Sequence, residues 1–517
     1  MKEPTLPSKT DILDQLSRIL RSLVFRNSEM LRNFLAYIVQ EAINDKAAEV
    51  KQYSIAINAF GRNPDFDATI DPIVRIQASR LRRNLELYFR EEGNNDEVYI
   101  ELPKGSYIPK FSFAKHFDKH VDILSSISNS VAVYPIKNLS EDNKRKYIVD
   151  GFSQELLMEL TRYSHIQVIR IGDEVIDHTK LSLSRFSVNG SIRFGEGSIK
   201  ISVEVSDNHN NQIIWSDQKK FNLSDCDLIQ MQEYVARSVA QKIADVNGVI
   251  CEKLHSESNW ENIRDLSAYD AFLHFHEYIK NTTEKTANEV LEKLTIVVQR
   301  EPEFAPGFAV LAAVYTDAYV LGLDRENLNR ALDFGKKAVE LQAKNQYCQI
   351  YYAYALMAAD RLVDAEKHLE TGYSLNRNAN NLTGTAGWIY CLMNQLDSGF
   401  KLIREYMKID FQYPKWLHIG TFLFYLDKGD YHNMLIEANM LDTEDLFWSP
   451  LLKLISYQKL SQPDQAIQQL NDLLEIKPEF IDHSKEYISC VVKSEDLSMQ
   501  MLNAVTDVYK IFNKSQK

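Results

Sequence analysis

Apolar residues along this chain follow two periods, and the alternation between them sets out its elements. SEMLRNFLAYIVQEAI places Leu31, Phe34, Leu35, Ile38 and Val39 on one side of a helix. KQYSIAINAFG follows a polar turn as a second, shorter helix, with Gly61 in a position that suits a C-cap. Asp71 can cap a third helix and Pro72 suits its first turn; Val74, Ala78, Leu81 and Leu85 then form its apolar stripe. The run YIELPKGSYIPKF reads as a hairpin with a Pro-Lys-Gly tip, and DILDQLSRILRSLVF upstream predicts one extra helix. Past a polar, serine-rich stretch near residues 112–130, VAVYP, YIVDGFSQELLMELTRY and HIQVIRI give strand, helix, strand. That order favours a parallel pair joined by a right-handed crossover. RFSVNGSIRF, GSIKISVEVSD and QIIWSDQKKF then alternate around two turn signals and predict an antiparallel meander, closed by a helix from about Asp225 to Asn247.

The C-terminal half is helical throughout and repeats itself. Ala331, Ala365 and Gly399 are each 34 residues apart, as are Gly335, Leu369 and Ile403, and Ala338, Gly372 and Tyr406. Ala353 and Gly387 keep the same step on the preceding helix. Small residues at fixed points let two helices approach closely. Val290, Leu294, Val297 and Pro302 fit an earlier unit, Ala466, Leu470, Leu473 and Pro478 the last, and Met434 with Ala438 a degenerate one between. About seven residues are inserted near DAYVLGLDREN, and the count comes to about six units. The tail from Glu486 predicts a capping helix or two. Aromatic residues such as Tyr351, Trp388 and Trp416 read mainly as core.

Charge adds a functional signal. On the third helix, Arg75, Ser79, Arg82 and Arg83 fall on an arc turned away from the apolar stripe. The net charge of the chain is −13, but residues 1–115 hold 17 Lys+Arg against 16 Asp+Glu, so the acidity lies downstream. A near-neutral module with arginines gathered on one helix suits groove-specific contact better than diffuse phosphate binding. The five cysteines show no C-x-x-C spacing, which fits a reducing compartment and no zinc site. His116 and His120 stand four apart without further ligands near them. There is no apolar leader and no apolar run of 18 residues, so a cytoplasmic chain with no membrane contact is expected. G-x-S-x-G, H-E-x-x-H, the P-loop and the EF-hand loop do not occur. The expectation is therefore a protein that is not an enzyme, with no catalytic residues, no cofactor and no metal.

Three resemblances organise these readings. Helix, turn, helix ending in Phe60-Gly61, then VRIQASRLRRNL and YIELPKGSYIPKF, resembles the winged helix-turn-helix DNA-binding domain of OmpR/PhoB-type regulators over residues 30 to 111. No receiver domain precedes it in this sequence. Residues 130 to 250 resemble the α/β domain similar to the TolB amino-terminal domain, which implies an interaction or sensory role. The 34-residue helix pairs from about Ser267 to Phe480 resemble tetratricopeptide (TPR) repeats, whose concave groove takes a peptide or partner helix. The expected fold is multidomain and mainly α: a winged helix over 1–113, a central α/β domain over 130–250 and a TPR solenoid over 265–517. The expected function is a DNA-binding transcriptional regulator holding double-stranded DNA through Arg75, Gln77, Ser79, Arg80, Arg82, Arg83 and Lys104, with a protein in the repeat groove. The alternative is a signalling scaffold whose first domain binds protein; Glu86, Glu91 and Glu92 near the arginine face favour it, since they would repel phosphates.

Overall fold

This computed structural model describes residues 7–515 except 27, 45, 47–48, 64–72, 94–95, 104–105, 114–128, 141–144, 173–183, 225–226, 259, 261–265, 281–283, 411–412 and 444–445. Asp71, Pro72, Lys104, His116 and His120 therefore lie outside the described residues. The chain divides into two compact units, residues 1–122 and 123–517.

Among its described residues the first unit contains five helices, α1 Lys9–Arg21, α2 Leu23–Arg26, α3 Glu29–Ile43, α4 Gln52–Asn58 and α5 Ile73–Glu91. A hairpin of β1 Val98–Glu101 and β2 Lys110–Phe113 follows, with Val98 opposite Phe113 and Glu101 opposite Lys110. The predicted stripes form one core: Leu31, Phe34, Leu35, Ile38 and Val39 meet Val74, Ala78, Leu81 and Leu85. Gly61 lies just past α4 with φ of 64°, in the left-handed region that costs glycine little, and its N–H donates to the Ile57 carbonyl. The extra helix belongs to this core through Ile12, Leu16 and Ile19. Ser8 and Asp11 cap α1 reciprocally, at 3.1 and 3.2 Å. Its buried Gln15 donates to Asp96, which also accepts from the Tyr88 hydroxyl at 2.6 Å, so α1 is tied to the start of the hairpin.

In the second unit, a sheet is ordered β5-β3-β6-β7-β8, with the short β4 beside β6. The strands are β3 Ser130–Val133, β4 Lys137–Asn138, β5 Gln167–Arg170, β6 Phe186–Gly195, β7 Ser198–Asp207 and β8 Gln212–Asn222. β3 runs parallel to β5 and to β6, while β6, β7 and β8 are antiparallel, as the alternation suggests. The meander turns at Gly197 (φ 71°) and Asn211 (φ 57°), inside the two turn signals. α6 Lys146–Thr161 and α7 Leu228–Ala244 pack against each other. The helix expected to run to Asn247 stops at Ala244, and α8 Val249–Glu257 begins after Gly248. A Cβ at Gly248 would stand 2.8 Å from the Asp245 carbonyl, so the break needs that glycine.

Six helix pairs follow among the described residues. They are α9 Ala268–Lys280 with α10 Glu284–Arg300, α11 Ala305–Gly322 with α12 Arg325–Leu341, and α13 Gln346–Ala358 with α14 Leu362–Leu375. Then come α15 Asn380–Leu392 with α16 Leu396–Ile409, α17 Leu417–Lys428 with α18 Tyr431–Met440, and α19 Trp448–Lys459 with α20 Pro463–Ile476. α21 Ser484–Ser489 and α22 Glu495–Ser515 finish the chain. The insertion does not loop out. It lengthens α11 to 18 residues and α12 to 17, where α13 has 13 and α14 has 14. α11 also corrects the statement about apolar runs, because Ala305–Gly322 is long and apolar enough by composition to cross a bilayer. It is 78% buried inside the protein, which is the ordinary state of an inner repeat helix.

The sheet and the repeats are not separate bodies. Val131, Phe152 and Val235 belong to the same buried cluster as Phe272, Tyr351 and Leu382. Polar contacts converge on the loop before α15. Asp245 accepts from the Asn380 N–H at 2.9 Å, Gln241 donates to the Asn378 carbonyl at 2.9 Å, and Asn378 donates to Glu159 at 2.9 Å. Asp245 thus sits at the N-terminus of α15, where exposed N–H groups favour a carboxylate; burial nevertheless pushes its pKa up to about 6.

Candidate functional sites

Two places answer to the sequence expectations, the arginine helix of the first unit and the inner face of the repeats.

On α5, Arg80 is exposed. Gln77, expected to face DNA, is 7% exposed and belongs to the interior, because it lies beside Ala78 and Leu81 on the buried side. Arg82, expected to hold DNA, turns back onto its own unit. Its guanidinium donates to the carbonyls of Leu102 at 3.0 Å, Pro103 at 3.3 Å and Ser106 at 2.9 Å. Five rigid donors in a fork suit three carbonyls of one turn, so Arg82 holds the hairpin loop against α5. The side chains of Arg75, Ser79, Arg83, Glu86 and Glu91 lie outside the described residues, as does Lys104. Glu92 is engaged, accepting from the N–H groups of Leu23 and Val24 at 3.0 and 3.1 Å and so capping α2. We expect Arg82→Ala to raise hydrogen exchange at the β1 and β2 amides about 30-fold, the equivalent of ~2 kcal/mol for hydrogen bonds from a charged donor. Unchanged protection of those amides would show that the fork contributes nothing.

The inner helices of the repeats are α9, α11, α13, α15, α17 and α19. All 13 residues of α13 are buried, so its inward side is covered as fully as its outward one. Part of the cover is the chain's own C-terminal segment. The Lys493 N–H donates to the Leu392 carbonyl at 2.9 Å, and the Lys493 ammonium pairs with Asp360 at 2.6 Å. Cys490 Sγ lies 3.9 Å from the Val320 carbonyl. Residues 490–493 thus lie against the C-terminal ends of α11, α13 and α15.

A cavity of about 90 Å³ is left, lined by Phe275, Asp317, Tyr351, Tyr354, Trp388, Trp416 and neighbouring apolar residues. Its rings are closely set: Trp388 and Trp416 have centroids 4.8 Å apart, Tyr354 and Trp388 5.2 Å, Phe275 and Tyr351 5.5 Å. Asp317 accepts from the hydroxyls of Tyr278 and Tyr354, each at 3.0 Å. Burial pushes its carboxyl up to about 6, against the pull of those two hydroxyls. The Trp416 Nε1 donates to the Ile279 carbonyl at 3.0 Å, whereas Trp388 Nε1 and the Tyr351 hydroxyl are buried without a partner. Sequence reasoning assigned Tyr351, Trp388 and Trp416 to core, and two of the three are indeed under a tenth exposed. It passed over Asp317, whose signal was present as the one charged residue in the otherwise apolar Ala305–Gly322. Among the described residues no group of three or more His, Cys, Asp or Glu could hold a metal.

No family model matches the chain. By sequence it is 24% identical over 249 residues, 46% of its length, to a protein of Rhizobium meliloti (strain 1021) named putative adenylate cyclase 3. The chain spans 42% of that relative's length. This finding corrects the expectation that the chain is not an enzyme, since the kinship is with a protein named for a catalytic activity. Among solved structures, similarity extends to a PelC dodecamer from Paraburkholderia phytofirmans, over 22% of this chain and 85% of that one, at 16% identity and a TM-score of 0.19. It extends also to the TPR domain of P58(IPK), over 56% of this chain and 94% of that one, at 14% identity and a TM-score of 0.18. Superpositions with such scores carry no argument, so the description as TPR-like repeats rests on the helix pairs and their 34-residue step.

Proposed function

We propose that the chain is a protein-interaction scaffold built on TPR-like repeats, with the α/β sheet locked to them as one body. The observation that supports this most is the ladder of six helix pairs whose small residues recur at a fixed step, an architecture whose extended surface serves protein contacts. The fixed hydrogen bonds between Asp245, Gln241 and the loop before α15 suit a rigid platform. A protein recovered with the full chain from its own cells, and then purified separately, should form a saturable complex of defined stoichiometry by light scattering. A chain that stays alone against every protein so recovered removes this reading.

The kinship with a protein named as an adenylate cyclase supports a second reading, in which the chain forms cyclic AMP or works beside a chain that does. Incubation of the full chain with ATP and magnesium or manganese, followed by chromatography of the nucleotides, decides whether it does so unaided.

Binding of duplex DNA gains nothing from the comparisons. One geometric point keeps it open to test: Arg80 is exposed on α5, and the hairpin is held beside that helix by Arg82. Under this reading Arg80→Ala lowers affinity on all sequences alike and reduces the slope of log affinity against log salt by about 1. Lack of retention on duplex at low salt eliminates it.

A further inference from the structure

The sheet of the second unit ends on a long strand with one side open. β8 has 11 residues and stands last in the strand order, and among the described residues β7 is the strand hydrogen-bonded to it. From Trp215 to Asn222 the ladder is regular, Trp215 opposite Val205 and Asn222 opposite Ser198. Just beyond it the Leu223 N–H donates to the Gly197 carbonyl at 2.8 Å, so residue 223 turns its main chain toward β7. Main-chain direction alternates along a strand, so Phe221, Lys219, Asp217 and Trp215 turn theirs the same way. Ser216, Gln218 and Lys220 then direct their N–H and C=O groups outward. Among the described residues no backbone group from outside the sheet bonds to these three. The Gln218 N–H donates instead to the Asp217 carboxylate at 2.7 Å. An open edge of this kind is a template for a further strand.

The side chains decide which strand fits. Trp215, Asp217, Lys219 and Phe221 share one face. On that face the Lys219 ammonium donates to the Ser238 hydroxyl of α7 at 2.6 Å and stands 5.0 Å from the centre of the Tyr234 ring. We propose that β8 pairs antiparallel with β8 of a second copy of this chain, about a twofold axis at Gln218. Asp217 of one copy then faces Lys219 of the other, Ser216 faces Lys220, and Trp215 faces Phe221, each contact occurring twice by symmetry. Opposite charges and aromatic pairs directly across a ladder stabilise it. The outward groups of residues 216, 218 and 220 make the hydrogen-bonded pairs, which leaves Asp217 and Lys219 on the closer, non-hydrogen-bonded ones. Neighbouring registers lack this match. An axis at Asp217 sets carboxylate against carboxylate, and one at Lys219 sets ammonium against ammonium. Axes at Ser216 or Lys220 set both charges opposite apolar residues. Tyr234 is 59% exposed beside Lys219, so the approaching copy also covers aromatic surface. β8 lies outside the repeats, and the pairing does not rest on the scaffold reading.

The test uses the full chain. Light scattering over a concentration series should show wild type passing from single to double mass. Asp217→Lys and Lys219→Asp each set like charges across the axis twice, and each should weaken self-association about tenfold or more. Mixed in equal amounts, the two variants restore both opposite-charge pairs and should associate with each other as wild type does. Gln218→Cys should give a disulfide-linked dimer on mild oxidation, above the wild-type background, because Cα atoms of a hydrogen-bonded pair stand about 5.5 Å apart. Lys220→Cys should not, because its copies lie four residues apart along the ladder, roughly 13 Å. Wild type that stays single at every concentration overturns the proposal. So does a mixture of the two charge variants that associates no better than either alone, or equal cross-linking of Gln218→Cys and Lys220→Cys.

Discussion

Replacing Glu437 with alanine is expected to cost the second unit about 3–5 kcal/mol, the usual penalty for breaking one side of a buried charged cluster. Glu437 is 4% exposed on α18 and gathers three partners. The Arg404 guanidinium pairs with one oxygen, and the other accepts from His418 Nδ1 at 2.6 Å and the Thr421 hydroxyl at 2.6 Å. The cluster joins α16, α17 and α18 across two successive helix pairs. Removal takes the carboxylate from Arg404 and leaves the buried His418 Nδ1 without its partner, while the Thr421 hydroxyl keeps the His418 carbonyl at 3.2 Å. Equilibrium unfolding in urea measures the loss; a change below ~1 kcal/mol would show that water replaces the carboxylate without penalty. Glutamine, which keeps an acceptor oxygen, should cost less than alanine.

The same group sets a dependence on pH. Burial pushes the Glu437 carboxyl up, but the hydrogen bonds from His418 and Thr421 and the charge of Arg404 outweigh it and leave the group below the ordinary glutamate range. A depressed folded-state pKa gives stability that is present above the unfolded value and is lost as pH falls through the folded one. Asp245 and Asp317 act in the opposite sense, since burial raises both to about 6. Their folded forms take up protons first, so acidification from pH 7 toward 4 favours the folded state through them. The urea midpoint of the full chain should therefore hold or rise on that interval through these groups and fall below it. In Glu437→Gln the fall below pH 4 should be shallower. A midpoint in that variant that tracks wild type over the whole range would assign the acid lability elsewhere.

The second large effect is expected at Gly399, where valine should cost about 3 kcal/mol and alanine clearly less. A Cβ at Gly399 would meet the backbone carbonyl of Gly387 and stand 2.8 Å from the Cys391 nitrogen, and a Cβ at Gly387 would stand 2.8 Å from the Gly399 carbonyl. These neighbours are main chain and cannot turn aside, so α15 and α16 would have to part. The equivalent positions in other pairs are Ala331, Ala353 and Ala365, each fully buried. Those pairs accommodate a methyl group where α15 and α16 stand too close for one, so alanine should itself cost stability, though less than valine. Thermal unfolding of Gly399→Ala and Gly399→Val beside wild type measures the gradient; equal midpoints for all three would mean that the approach is not tight.

Much of the architecture was legible because its causes are local. The stripe of Val74, Ala78, Leu81 and Leu85, the turns at Gly197 and Asn211, and the 34-residue step of small residues each follow from a periodicity or from a φ that few residues adopt. Element boundaries were legible where a cap marked them, as at Gly61, and illegible where packing decided, as at Gly248. The site residues fared differently. Arg82 was assigned from helical angle and the resemblance to the winged-helix family, and neither can tell an arginine that faces outward from one that reaches back to the carbonyls of residues 102–106.

By itself, then, the sequence determined which segments are helix and strand, that the C-terminal half is a ladder of paired helices, and where small residues must meet. Those features need only neighbours within about 35 residues, whose spacing the sequence records directly. Tertiary structure alone decided that the sheet and the repeats share one core, that residues 490–493 lie against the ends of inner helices, and that Asp317, Tyr351 and Trp388 converge on one cavity. Each of these depends on contacts between residues far apart in the sequence, which no local pattern encodes.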